Sequence, residues 1–191
     1  MKRKFKLITS VASLCLAIAL MAFGVYAASA PKLTVSGTVT FTADQIYATV
    51  TMQEGVGADL AGVKLEDVTV TKGVWIAGTS DTDAQATASV GKALSDAAPA
   101  YKYVVTITSA TPRDFKATLA TIPSTDANGA KLNIEYSVDG GAATEVTAAN
   151  TAITIPAKKV AVITVSLVID PAVANANVSV DMGMVVNCSN I

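Results

Sequence analysis

Histidine is absent from the 191 residues. With it go the commonest general base, the usual zinc ligand and the side chain that titrates near neutral pH. Cysteine occurs twice, and Cys15 lies inside an early apolar run, so Cys188 has no intrachain partner once that run is removed. Charged residues make up 15% of the chain and aromatic residues 5%, which leaves little material for a charged or stacking surface. No Ser nucleophile elbow, Gly-rich phosphate loop or Cys/His cluster occurs. Without an acid–base or nucleophile set, the expectation is a protein that is not an enzyme and needs no cofactor.

What the chain does have begins with MKRKFK, four basic side chains in six residues. The uncharged run LITSVASLCLAIALMAFGVYA follows, then the small residues AASA and Pro31. That order predicts a secretory signal peptide over residues 1–27, with cleavage after Ala27, or after Ala30 as the second choice. The competing reading is an uncleaved anchor, because the run is about long enough to span a bilayer. Leu14 before Cys15, and the apolar residues after it, argue against lipid attachment. Removal of residues 1–27 leaves 164 residues, enough for one domain with its own core. It also leaves ten basic against fifteen acidic side chains, a balance with no footprint for nucleic acid. The expected product is exported, with no stable membrane anchor after cleavage.

The remaining chain alternates. KLTVSGTVTFT (32–42) sets Leu33, Val35, Gly37, Val39 and Phe41 on one face and Thr34, Ser36, Thr38, Thr40 and Thr42 on the other. That is the period of a strand with one apolar face. Ile46, Ala48, Val50 and Met52 repeat it, as do Tyr101, Tyr103, Val105 and Ile107, then Phe115, Ala117 and Leu119. Leu132, Ile134, Tyr136 and Val138 share another face before Asp139-Gly140-Gly141, which supplies the positive-φ residues of a tight hairpin. Ile163, Val165, Leu167 and Ile169 follow, and Val178, Val180, Met182, Met184, Val186 and Cys188 share the inner face of the last strand. VKLEDVTVTKGVWIAG reads as one or two strands around Gly73. The Ala-rich stretch 79–100 reads as a long connection or insertion with a short helix near Gly91–Ala98. Nine or ten strands with little helix predict an all-β, two-sheet antiparallel sandwich, jelly-roll or immunoglobulin-like, over residues 43–191. The lack of repeated amphipathic helices excludes parallel βαβ units.

Isolated features have bland explanations. Cys188, in phase with Met184 and Val186, reads as a core thiol, with a reactive or intermolecular role as the alternative. Asp81 and Asp83, and Asp126 with Asn128, stand in turn sequences that lack the rest of a calcium loop, so no metal site is expected. Asp67, Glu135, Asp139 and Glu145 lie beside turns or on polar strand faces. Trp75 and the tyrosines Tyr47, Tyr101, Tyr103 and Tyr136 could stack on sugars, but lone aromatics at strand period more often pack inside.

The segment 28–42 stands apart. A strand directly behind an export signal can pair within its own sheet or fill a groove in a neighbour, where main-chain hydrogen bonds and alternate side chains in pockets hold it. The flexible lead AASAP, the apolar plugs and the threonine face suit a donated strand, and Pro31 marks its start. The signal ending GVYA, the Thr/Val strand, YKYVVTITSATPRDFKATL and ITIPAKKVAVITVSLVID together resemble the TasA/camelysin group of secreted biofilm-matrix proteins of Gram-positive bacteria. Ala28, Ser29 and Ala30 stand where members of that group often carry an aromatic and an acidic residue. The resemblance implies a jelly-roll subunit that polymerises head to tail by inserting its N-terminal strand into the next copy. It implies an extracellular matrix or cell-surface location, itself as the main partner, and room for other matrix components. Leu33, Val35, Gly37, Val39 and Phe41 would then be the subunit interface. The alternative is a monomeric secreted sandwich that binds a carbohydrate or host surface through loops such as 79–100.

Overall fold

Backbone pairing sorts the described residues into two stacked sheets. The computed structural model describes residues 33–43, 48–71, 74–75, 85–125, 129–170 and 179–191. Among these there are thirteen strands and no helix. One sheet runs from β5 (Gln85–Leu94) through β1 (Leu33–Ala43), then β12 (Ser179–Asp181) with β13 (Met184–Asn190), then β7 (Phe115–Thr121), to β10 (Thr151–Ile155). The second runs from β3 (Glu66–Val68) and β4 (Val74–Trp75), both on β2 (Ala48–Gly57), through β6 (Ala100–Ser109), β11 (Val160–Ile169) and β8 (Ala130–Val138) to β9 (Thr144–Glu145). The protein is thus an all-β sandwich. The match to the expected strands is close, and the higher count comes from the two- and three-residue pieces β3, β4, β9 and β12.

The core lies between the sheets, and alternation puts it there. Val35, Val39, Phe41, Val50, Met52, Tyr101, Tyr103, Val105, Ile107, Phe115, Leu119, Ile163, Val165 and Leu167 are buried, while most of their strand neighbours face solvent or are half-buried, Ala100 and Ser166 being buried exceptions. Each such side chain stabilises the fold by about 1.5–3 kcal/mol relative to exposure. Asp139 (φ 54°) and Gly140 (φ 71°) make the expected tight turn, closed by the Gly141 N–H donating to the Val138 carbonyl at 2.9 Å. Lys159 braces it through Asp139 at 2.7 Å.

Three expectations are corrected. Residues 85–94 are not a connection with a helix near Gly91–Ala98. They form β5, which pairs antiparallel with β1 along its length, from Leu33–Leu94 to Thr42–Gln85. Ala88, Val90 and Leu94 keep strand phase and are buried, so pairing with β1 overrides alanine's helical preference. The sheets are also not wholly antiparallel, since β1 runs parallel to both β12 and β13. The intervening strands form the long crossover that a parallel pair requires. Finally, the last strand is two pieces, broken at Met182–Gly183. Residues 32–191 form one compact unit. The signal peptide assigned to residues 1–27 and the lead 28–31 lie outside the described residues.

Candidate functional site

β1 occupies a slot between two walls. One wall is β5. The other is β12 and β13, which pair with Thr34–Ser36 and Val39–Ala43 at one constant offset. Val35, Val39 and Phe41 point into the core and are fully buried, whereas Thr34, Ser36 and Thr38 are exposed. The side chains of Leu33 and Ala43 lie outside the described set. Thr42 donates its hydroxyl hydrogen to Asn187 on the outer face. In a single chain, therefore, the slot is filled by that chain's own first strand.

The break between β12 and β13 falls opposite Gly37. There the Met182–Gly183 backbone moves into the space that a side chain at position 37 would take. A Cβ on Gly37 would lie 2.3 Å from the Gly183 nitrogen and 2.5 Å from the Met182 carbonyl carbon. Three polar groups released by the break find partners. The Met182 N–H donates to the Ser36 carbonyl at 2.9 Å. The Met182 carbonyl accepts from the Tyr103 hydroxyl at 3.1 Å across the sandwich. The Gly183 N–H donates to the Asp181 carboxylate at 2.8 Å. Burial, and secondarily the Asp181 charge, raise the Tyr103 pKa far above the usual phenol range, so it stays a donor.

The β5 wall is tied to the opposite sheet by Glu54. Its Oε2 accepts from the Gly91 N–H at 2.9 Å and from the buried Tyr101 hydroxyl at 2.7 Å. Lys92 stands 3.8 Å from Oε1 and 3.4 Å from Glu66. Burial first, then the hydrogen bond to Glu54, lift Tyr101 well above the ordinary phenol range. Neither Glu54 nor Lys92 was singled out in the sequence. The available signal was phase: Glu54 follows Val50 and Met52 on the inward face, and Lys92 sits between Val90 and Leu94. Two charges of opposite sign at inward positions point to a pair, here buried at Glu54 and half-exposed at Lys92.

Beside this pair opens a polar cleft of about 480 Å³, with Thr38, Thr71, Thr87, Ser89, Glu66 and Lys92 among its lining residues. Thr71 and Thr87 exchange backbone hydrogen bonds of 2.9 and 3.1 Å, which join β5 to the segment after β3.

Other residues named from the sequence fall elsewhere. Tyr101 and Tyr103 are fully buried and pack edge to face at 6.2 Å, so neither offers a ring to a sugar. Tyr136 is half-buried. Asp67 accepts from Gln53 at 2.9 Å. Glu135 and Glu145 face each other across the β8–β9 pair. Asp81, Asp83, Asp126, Asn128, Tyr47 and the Trp75 side chain lie outside the described residues. Among the described residues no group of three or more Cys, Asp or Glu is placed to hold a metal ion.

Cys188 is buried on β13, and burial pushes its thiol from the ordinary 9.0 up to about 12. The unfolded chain releases this proton near pH 9, whereas the fold retains it. Folding stability should therefore be unaffected by this group below that pH and fall as pH rises toward about 12. Alkaline denaturation of a Cys188→Ala variant should show a shallower decline, with the tyrosines' share remaining. At pH 8 a thiol reagent should label Cys188 only in denaturant.

No family model and no curated protein sequence matches the chain. Among solved structures, the cupredoxin domain of amoB from Nitrosocaldus yellowstonii is similar at 14% identity over 39% of each chain, with a TM-score of 0.19. The GH31 alpha-xylosidase of Xanthomonas citri is similar at 12% identity over 66% of this chain and 14% of that one, with a TM-score of 0.30. TmCBM61, solved with beta-1,4-galactotriose, is similar at 18% identity over 37% of this chain and 54% of that one, with a TM-score of 0.20. The chain spans less than two thirds of the length of each of these proteins.

Proposed function

We propose that this protein is a secreted structural subunit of extracellular fibres, assembled by exchange of β1 between copies. The observation that supports this reading is the position of β1. It is an interior strand, paired along both edges and plugged into the core, and cleavage after Ala27, as this reading proposes, would leave it joined to the domain at one end only. The β1 of a second copy can make the same contacts in the same slot. Exchange of an identical element is a low-cost route to association, and a head-to-tail exchange that does not close produces a filament. The proposed partner is the protein itself.

Cysteines at two facing positions test the exchange. Thr38 and Ser89 face each other across the β1–β5 pair. Facing antiparallel residues lie at a spacing a disulfide can bridge. In Thr38→Cys/Ser89→Cys, oxidised fibres should run as a covalent ladder on a non-reducing gel and collapse to one band on reduction. A monomer-length band from fibres would refute exchange.

The polar cleft beside Glu54 favours a second reading, a monomeric module that binds a polyhydroxylated ligand. That reading requires a monodisperse monomer on size-exclusion chromatography at high concentration and saturable binding lost in Lys92→Ala.

A further inference from the structure

We infer that Gly37 and the Met182–Gly183 notch form a register key, which decides what strand the slot accepts and in which alignment. The inference deepens the fibre reading, because the key acts on any strand entering the slot, whichever chain it comes from. Three observations carry it.

The offset between β1 and its parallel neighbours is the same on both sides of the break, since Ser36 faces Asp181 and Val39 faces Met184. The break is therefore local to residues 182 and 183 and leaves the alignment intact. Next, the space beside Gly37 is filled by main chain. A Cβ there would meet the Gly183 nitrogen, the Met182 carbonyl carbon and the Gly183 Cα, all within 2.9 Å. These atoms are held by the bonds from Met182 to Ser36 and from Tyr103 to Met182, so they do not yield as a side-chain tip would. Finally, a slip of two residues, the smallest that keeps the plugs facing inward, brings Val35 or Val39 to the notch. Either valine would drive its side chain into backbone.

The opposite wall adds a second constraint. A Cβ on Gly91 would lie 2.6 Å from the Val35 carbonyl oxygen. β1 is thus held between two close backbone approaches one residue apart, at Ser36 against Gly91 and at Gly37 against Gly183. Of the 12 glycines in the chain, only Gly37 has a valine two residues to either side. No other segment of this protein sets a branched apolar plug on both sides of a glycine at this spacing. The slot is matched to the protein's own first strand.

The test reads register by disulfide formation in the exported chain. In the parent, Thr38→Cys/Ser89→Cys should cross-link, and the two-residue-shifted pair Thr40→Cys/Ser89→Cys should not. Adding Gly37→Ala or Gly37→Val should abolish the 38–89 cross-link. Gly183→Ala should retain it, because a Cβ there approaches no closer than 3.0 Å, and to the Asp181 side chain. Phe41→Ala should also retain it despite a lower melting temperature, which separates register from general loss of stability. A second arm leaves Gly37 and the Met182–Gly183 notch of the folded chain unaltered. The Ser89→Cys chain is refolded with excess peptide spanning residues 32–43 that carries Thr38→Cys. The peptide with glycine at position 37 should be captured as a disulfide, and the same peptide with Gly37→Val should not. Equal capture of both peptides, or an undiminished 38–89 cross-link in the Gly37→Val chain, would overturn the key. Gly37-dependent cross-linking that never joins two chains would leave the key standing and remove the fibre reading.

Discussion

An exported chain that lacks residues 28–42 should neither form fibres nor persist as a folded monomer. The deletion removes Val35, Val39 and Phe41, all fully buried. At about 1.5–3 kcal/mol each, these three side chains account for roughly 5–9 kcal/mol. A domain of this size has a total stability of about 5–15 kcal/mol. The deletion also strips both walls of their main-chain partners, because β1 satisfies β5 along its length and β12 and β13 on the other side. Circular dichroism should show loss of cooperative melting, and micrographs should show no filaments. Adding a peptide of residues 32–43 in trans should restore a cooperative transition and yield capped single copies. A Phe41→Ala peptide should bind roughly a hundredfold to several thousandfold more weakly, since a phenylalanine truncated in a core costs about 3–5 kcal/mol. Fibres of parental appearance from the shortened chain would end the strand-exchange proposal.

Much of the ground for that prediction was legible as alternation. Leu33 to Phe41 announces a strand with one buried face because side chains on a pleated strand point alternately to its two sides. The same rule located β6, β7, β11 and the inner face of β13. It failed at β5. There Ala88, Val90 and Leu94 are in phase, but alanine, glycine and lysine dilute the signal, and what makes the segment a strand is the partner it meets rather than its own preference. Pairing was not legible at all. Whether β1 lies beside β13, and whether the two run parallel, depends on closure over nearly the whole chain, and period-two patterning carries no such information. The Met182–Gly183 break was hidden for a related reason. Met182, Met184 and Val186 keep phase across it, so sequence shows one strand where the backbone steps aside for Gly37. Glu54 and Lys92 were visible only as charges at inward positions, and their pairing needed the stacking of β5 on β2.

Loss of that pairing is the second large effect expected. Glu54→Ala removes the acceptor shared by the Gly91 N–H and the buried Tyr101 hydroxyl. Each donor left without a partner in a buried place costs about 1–3 kcal/mol. The Gly91 amide lies on an exposed residue and recovers part of this from water, while the Tyr101 hydroxyl does not. Lys92 keeps Glu66 at 3.4 Å, so its charge is not stranded. The net expectation is a loss of about 2–4 kcal/mol. For a domain of this length that corresponds to a fall in melting temperature of about 5–12 °C. The effect should be non-additive with Tyr101→Phe, because once Glu54 is gone the hydroxyl has no acceptor to lose, and a double-mutant cycle should return a coupling of about 1–3 kcal/mol. The change should also reach the slot. Glu54 is a side-chain tie between β5 and the opposite sheet, so its removal loosens one wall of the β1 site around residue 91 without touching β1 itself. Amides of residues 85–94 should then exchange with deuterium faster than those of β11, and strand capture by the Ser89→Cys chain should speed up. Additive single-variant effects, or β5 protection unchanged from the parent, would show that Glu54 does not hold this wall.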